Sequence, residues 1–441
     1  MTTIVDEQVF ESKPFSNRFC RGLESGEELL KDRFFVECRN HHRLFHYYDC
    51  TTLAILLVAR VQYKTYNTGH MVHSIMKIFE GRRNLILLIG SVSFVLFIVC
   101  ASLYGNSVVY DLITNNGQAI GRGFTSSVTD TMVRYDSFQY VHIAEKGYTD
   151  TTYTAFFPLF PLLIKGLADL TGLSHEVAGL FINWVLLFPL AVMLYKWADL
   201  ELKRQKVKVS PYILLGLIAI FPTSLYLAMA YTETLFMLLT VGAVYAYRSG
   251  RYFAAALLAL LSSATRTQGL TLCVYFATDF LIEWHAKKKP NYKKLIPTFV
   301  GGLGFVAYAT FLWYAFGNPL EFVEAQKSWG RLEGNVLTNL IDSFRPIYIF
   351  YLGVAGVGLW SIWRYLGKAY FIYSLLFLLL PLSSGRLDSI NRYMLALIPM
   401  FLAITILSVN IPKLLRLIYI VLSTFLLAWS ILLFANGYWV A

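Results

Sequence analysis

Charge is what this sequence has least of. Only 15% of its 441 residues are Asp, Glu, Lys or Arg, against roughly 25% in a soluble domain. Hydrophobic residues make up 56% and aromatics 16%, so the chain cannot cover itself with a solvated surface and a soluble enzyme is excluded. Cysteine is scarce too: Cys20, Cys38, Cys50, Cys100 and Cys273 are scattered, two of them within apolar runs. No disulfide framework is implied. A P-loop, a dinucleotide fingerprint, a Ser/His/Asp set and a DxD-type nucleotide-sugar site are all missing, which argues against a soluble nucleotide donor. The net charge of +11 does not stand for nucleic acid, because the basic residues sit in short clusters between apolar runs, as topology signals do.

Long apolar runs are abundant. Residues 85–104 (LILLIGSVSFVLFIVCASLY) are uncharged throughout. At about 1.5 Å per residue they reach across a hydrocarbon core of roughly 30 Å. Similar runs continue to the C-terminus and predict an all-α polytopic membrane domain over 81–441. About 11 spans are expected, near 85–104, 177–197, 211–228, 232–248, 252–267, 269–284, 295–316, 346–363, 369–382, 393–410 and 417–435. Residues 1–80 are polar and form a cytosolic N-terminal extension, or non-native upstream sequence, since Met76 opens MKIFEGRRNLILLIG, a basic flank followed by a span. The group Cys38, His41, His42, His46 and Cys50 fits no zinc spacing. The apolar run Leu53 to Ala59 is too short to span.

With the N-terminus in the cytosol, seventeen Lys and Arg fall in short inner segments against ten outside, which supports that orientation. The run 156–172 (FFPLFPLLIKGLADLTG) holds Pro158, Pro161 and Lys165 and reads as interfacial or re-entrant. The first outer loop then runs from 105 to 176. Asp136, Glu145, Glu233, Arg266, Trp329, Arg386, Asp388 and Arg392 all come to the non-cytosolic side. Such one-sided polar chemistry points to a site at one membrane surface, whereas a channel or pump would distribute ionisable groups through the depth.

Within RYDSFQYVHIAEKGY, Asp136 is either the cap of a helix beginning at Ser137 or a reactive acid, and His142, Glu145 and Tyr148 recur on neighbouring turns. Glu233 in YTETLF is a helix-start charge or a site residue. Arg266, after fourteen uncharged residues, needs an anionic partner: an acid such as Asp279 or Glu233, or a phosphate gripped by its planar fork. SSGRLDSINRY adds Arg386 and Arg392 to the same side, which makes an anion site. The rival reading is a lipid or sugar-lipid transporter, which predicts internal repeats and helices broken at the midplane. No repeat is visible.

The order RYDSFQYVHIAEKGY, AFFPLFPLL, PTSLYLAMAYTETLF, SATRTQG and NRYMLALIPMF resembles the PIG-V family, the second mannosyltransferase of GPI-anchor assembly, and its prokaryotic relatives, over residues 81 to 435. The resemblance implies a polytopic glycosyltransferase of the GT-C class with a large first extracytoplasmic loop. It implies mannose moved from a polyprenyl (dolichyl) phosphate to a glycolipid or protein acceptor on the lumenal or extracytoplasmic face, in the endoplasmic reticulum of a eukaryote or the plasma membrane of a prokaryote. It also implies an essential acid in that loop, Asp136, preceded by Tyr135 where the family usually has Trp. YTET matches the family's Tyr-Ser/Thr-Glu-Ser and implicates Tyr231 and Glu233. Inverting transfer then assigns Asp136 as base and Arg266, Arg386 and Arg392 as donor-phosphate ligands. Arg134, His142, Glu145, Lys146 and Trp329 are assigned to substrate contacts. No cofactor is required, although a divalent cation beside Asp136 and Glu145 stays open, as does a small membrane subunit. The outer loops are shorter than those of the animal enzymes, which leaves the acceptor open.

Overall fold

The computed structural model describes residues 81–114, 127–286, 291–331, 335–342, 344–387 and 389–440. The 1–80 extension with its Cys38 to Cys50 group, and Asp388, lie outside the described residues. The architecture is helical, with no strand among the described residues. Its main elements are α1 (Arg82–Thr114), α2 (Asp136–Lys146), α3 (Leu159–Thr171), α4 (His175–Arg204) and α5 (Tyr212–Ala219). They continue with α6 (Glu233–Arg248), α7 (Tyr252–Ser263), α8 (Thr271–Ala286), α9 (Leu303–Phe316) and α10 (Ile347–Ser361). The last are α11 (Lys368–Leu382), α12 (Ile390–Ala396), α13 (Ile398–Leu407) and α14 (Lys413–Ala435).

Five segments are long and apolar enough to cross a membrane: Arg82–Asn106, His175–Arg204, Tyr292–Phe316, Ile347–Leu366 and Lys413–Ala435. The pair α12 and α13 makes a sixth if counted as one span, bent by 74° at Leu397, just ahead of Pro399. The other expected spans are helical but short. Residues 211–228 give the 8-residue α5 and a 3-10 turn at Ser224–Leu227. Residues 232–248 give a 16-residue α6, and 369–382 a 15-residue α11. Residues 252–284 split into α7 and α8, with the break at Arg266. Short helices are tolerated at this depth because protein covers their ends: α6 is buried along nearly its whole length. Among the described residues of 105–176, the stretch expected as the first outer loop, most are helical, since α1 runs on to Thr114 and α2 and α3 follow.

The outer faces are apolar. On α14, Leu414, Leu417, Val421, Phe425 and Trp429 follow one another every three or four residues and are all exposed, while Ser423, Leu427, Ile431 and Phe434 turn inward. Such a stripe would be an aggregation hazard in water and is the ordinary surface of a helix in hydrocarbon. The interior is held by small residues. Ala255, Ala256, Ala259, Ser262 and Ser263 line the buried face of α7, and a Cβ on Gly304 would lie 2.0 Å from the Leu260 carbonyl oxygen. The segment 156–172 is one-sided as well. Phe160, Ile164 and Ala168 of α3 are buried, whereas Leu162 and Leu170 are 62% and 84% exposed.

Candidate active site

Asp136 is the first residue of α2, not the cap of a helix starting at Ser137. The cap position belongs to Tyr135, whose φ of 57° is left-handed, a conformation that costs a bulky residue about 1–3 kcal/mol. Its surroundings hold it there. The Tyr135 hydroxyl donates to the Gly437 carbonyl, and its ring meets Trp439 edge-on at 5.0 Å and Phe434 at 5.7 Å. Burial pushes the phenol up to about 12 against the opposing charge of Arg134, so it stays a neutral donor. The segment after α14 thus fixes the corner from which Asp136 emerges. With its helix position set by Tyr135, the Asp136 carboxylate makes a contact elsewhere: Oδ2 accepts from Arg392 Nη1 at 2.6 Å.

Arg392 comes from α12 and is itself doubly committed. Its Nε and Nη2 lie 3.0 Å and 2.9 Å from Glu233 Oε1. The same oxygen accepts from Arg266 Nη2 at 3.0 Å. Arg266, Glu233, Arg392 and Asp136 therefore form a chain of alternating charges drawn from four elements. Glu233 opens α6, where its charge suits the positive end of the helix dipole. The turn before it is pinned by Asn183 of α4, whose amide donates to Met229 and Tyr231 carbonyls. Arg266 sits in the extended break between α7 and the 3-10 turn Thr267–Leu270. Of the two acids expected to pair with it, the structure selects Glu233. Asp279 lies midway along α8, paired with Arg248 at 2.8 Å. The guanidinium of Arg392 is caged by the rings of Tyr231, Tyr226 and Trp439 at 4.6, 4.8 and 5.6 Å, which stabilises a desolvated cation.

Beside this chain lies a cavity of about 280 Å³. Its charged lining consists of Asp136, Arg266, Arg331, Arg386 and Arg392, among the described residues, with Tyr140, Gln268, Tyr393 and Trp439 alongside. Four of the expected site residues therefore converge: Asp136, Arg266, Arg386 and Arg392. Tyr231 and Glu233 stand behind the wall, Tyr231 donating to the Arg134 carbonyl at 3.0 Å. Arg134 is buried and contributes that carbonyl. His142, Glu145 and Lys146 do not line the cavity. His142 stacks on Tyr153 at 4.2 Å and bonds Thr149, and Glu145 and Lys146 are exposed. Nine helical steps separate Asp136 from Glu145, about 13 Å along a helix, so the two do not share one ion. The side chain of Trp329 lies outside what is described.

Three lining residues have signals that the reading of the sequence passed over. Tyr140 is four residues after Asp136 in a helical stretch, hence on the same face, and burial pushes its phenol well above the ordinary value. Arg331 counts in the sequence only as an outer basic residue. Trp439 follows the last apolar run, in NGYWV, where Gly437 takes φ 84° and turns the chain back over the site.

A second charged group sits at the other end of α6. Arg248 faces Glu201 at 3.4 Å and Asp279 at 2.8 Å, Lys294 joins Asp279 at 3.1 Å, and Tyr370 donates to Glu201 at 2.9 Å. Between Glu233 and Arg248 the helix has no charged residue. Fifteen steps put the two groups about 22 Å apart.

A family model described as "Mannosyltransferase (PIG-V)" matches residues 118–318. Similar curated proteins are "GPI alpha-1,6-mannosyltransferase 2" from Rattus norvegicus and Mus musculus, each 34% identical over 146 residues, which is 31% of this chain and 29% of theirs. The namesake from Cricetulus griseus is 34% identical over 172 residues, 37% of this chain and 33% of that protein. The matched stretch thus spans about a third of each relative or less. The stretch that the family model matches includes Asp136, Glu233 and Arg266 and stops short of Arg386, Arg392 and Trp439. By that match, the part of the chain that holds the acid and its first two partners is similar to the mannosyltransferase (PIG-V) family.

Proposed function

We propose that the protein is a multi-pass membrane mannosyltransferase that moves mannose, with inversion at C1, from a polyprenyl phosphate such as dolichyl phosphate to a hydroxyl of a glycolipid of the GPI-precursor kind or another extracytoplasmic acceptor. The observation that carries this reading is Asp136, a carboxylate 27% exposed on the wall of a cavity whose other charged lining residues, among those described, are arginines.

Arg392 holds Oδ2 and leaves Oδ1 to receive the proton of the acceptor hydroxyl as that oxygen bonds to C1. The bond from C1 to the phosphate oxygen breaks, its electron pair stays on the phosphate, and the phosphate gains one negative charge. Base catalysis of this kind contributes typically ~10²–10⁴-fold. Arginine forks stabilise the leaving group. Because Arg392 is engaged by Glu233 and Asp136, its role here is to aim the base, while Arg266, Arg386 and Arg331 grip the phosphate. Tyr140 adds a neutral donor. His142, Glu145 and Lys146, on the outer turns of α2, are placed for a glycan that extends beyond the cavity. The reading places the cavity at the lumenal or extracytoplasmic surface and requires no metal. A transporter would also tolerate the bent α12 and α13 pair, but the uncharged 22 Å of α6 between its two terminal charges offers no ionisable path.

Membranes incubated with polyprenyl-phosphate-linked labelled mannose should pass label to a lipid acceptor. Asp136→Asn should fold normally and lose transfer by about 10²–10⁴-fold. A folded Asp136→Asn with full transfer would remove the base assignment, and unchanged donor affinity in Arg266→Gln would remove the clamp.

A further inference from the structure

Next to the arginine cavity, and sharing one lining residue with it, is a larger groove of about 500 Å³ between α10 and α14. Tyr348, Tyr351, Leu426, Trp429 and Leu433 line it, and Arg345 stands among them. Trp439 lines both spaces. The same division runs through α12 and its entry: Ser389 and Arg392 face the cavity, and Asn391 between them faces the groove, with its amide fixed on the Val440 carbonyl at 2.9 Å. On its outer side the groove opens where Phe425 and Trp429 are 63% and 52% exposed, within the apolar stripe of a helix long enough to cross a membrane.

We propose that this groove seats the isoprenoid chain of the polyprenyl-phosphate donor, with Trp439 as the partition between chain and phosphate. The inference rests on the transferase reading above. A cationic cavity and an apolar groove that share a single wall residue fit a lipid whose phosphate is bonded directly to its hydrocarbon. In the donor, C1 of the sugar is one phosphate away from the chain, so a sugar at Asp136 and a phosphate at the arginines leave the chain at Trp439. In a glycolipid acceptor, further sugars and a glycerol stand between the attacked hydroxyl and the acyl chains, so an acceptor hydroxyl at Asp136 places those chains away from this wall. Lipid tails are as apolar as the groove, so burial in it supplies little hydrophobic drive. Its contribution is alignment: a chain laid along α14 presents its phosphate to the arginines in one orientation.

The test uses the full chain in lipid nanodiscs with two donors, one of long chain and one of two isoprene units, and a benzophenone-tagged long-chain donor for photo-crosslinking. Tagged donor should label peptides from α10 and α14, and excess untagged polyprenyl phosphate should block the labelling. Filling the groove with Leu426→Trp or Ser430→Phe should raise the half-saturating concentration of the long-chain donor about tenfold, the scale of one ordered contact set, and leave the short-chain donor unchanged. Label confined to other helices, or equal effects of groove filling on both donors, overturns the groove. Labelling of the same peptides by benzophenone-tagged phosphatidylinositol, with competition between the two lipids, overturns its assignment to the donor. An unmodified protein that transfers mannose from neither donor refutes the transferase reading itself, whereas transfer without label on α10 and α14 refutes the groove alone.

Discussion

Replacing Glu233 by glutamine keeps the shape of the buried hub and removes its charge. All three contacts fall on Oε1, from Arg392 Nε at 3.0 Å, Arg392 Nη2 at 2.9 Å and Arg266 Nη2 at 3.0 Å. Oε2 is buried with no hydrogen-bond partner among the described residues. The amide oxygen of glutamine can therefore take the place of Oε1 and its nitrogen that of Oε2. Geometry survives, but each bond drops from the ~1.5–3 kcal/mol of a charged acceptor to the ~0.5–1.5 kcal/mol of a neutral one. Three bonds lose about 3 kcal/mol together, about 150-fold in the folded-to-unfolded ratio. Arg392 then keeps Asp136 as its remaining carboxylate contact among the described residues, so it bears harder on the base and transfer falls as well. Alanine should be worse than glutamine, because it also opens a cavity at a fully buried site. Thermal or denaturant unfolding in detergent, read beside mannose transfer, should rank the parent above Glu233→Gln and that above Glu233→Ala. A Glu233→Gln protein within about 0.5 kcal/mol of the parent, the range of an indifferent surface change, would refute the charge chain as the organiser of the site.

Tyr135→Phe removes the hydroxyl that holds the left-handed corner to Gly437 and should slow transfer about fivefold, for the ~1 kcal/mol of one such bond. Donor half-saturation should not move, which steady-state kinetics would check. Gly304→Ala would press a Cβ against the Leu260 carbonyl and Ser263 Oγ, at 2.0 Å and 2.7 Å, and should cost about 1–3 kcal/mol in unfolding measurements. Gly90→Ala, with nothing within 4 Å, should be silent. Arg248→Met strips Glu201 of a partner and should lower stability by about 3–5 kcal/mol, while the donor half-saturation of the surviving protein stays unchanged.

The helical class and the membrane setting are legible because both follow from composition and unbroken apolar runs. The count of crossings is not, because hydropathy treats 232–248 and 85–104 alike. Nothing local in ETLFMLLTVGAVYAYR says that protein rather than lipid surrounds it. The site is legible where charge is conspicuous. Asp136, Glu233, Arg266, Arg386 and Arg392 stand out as polar residues in apolar surroundings, and the structure brings them together from four separate stretches of chain. His142, Glu145 and Lys146 show the limit of that signal: they neighbour Asp136 in sequence, but helix geometry carries them onto turns away from the cavity. Trp439 was hidden for the opposite reason. An aromatic after the last apolar run has no polar company in sequence, and only the turn at Gly437 brings it over Arg392.

The shortness of α6 has a consequence for the solvent around it. A rod of about 22 Å standing in a hydrocarbon slab of roughly 30 Å falls about 8 Å short of matching it. Lipids normally accommodate such a mismatch by thinning, but α6 is sheathed by its neighbours, so if it stood across the bilayer the shortfall would be taken up inside the protein. On the transferase reading, Arg266 would then meet a lipid phosphate below the level of the surrounding headgroups.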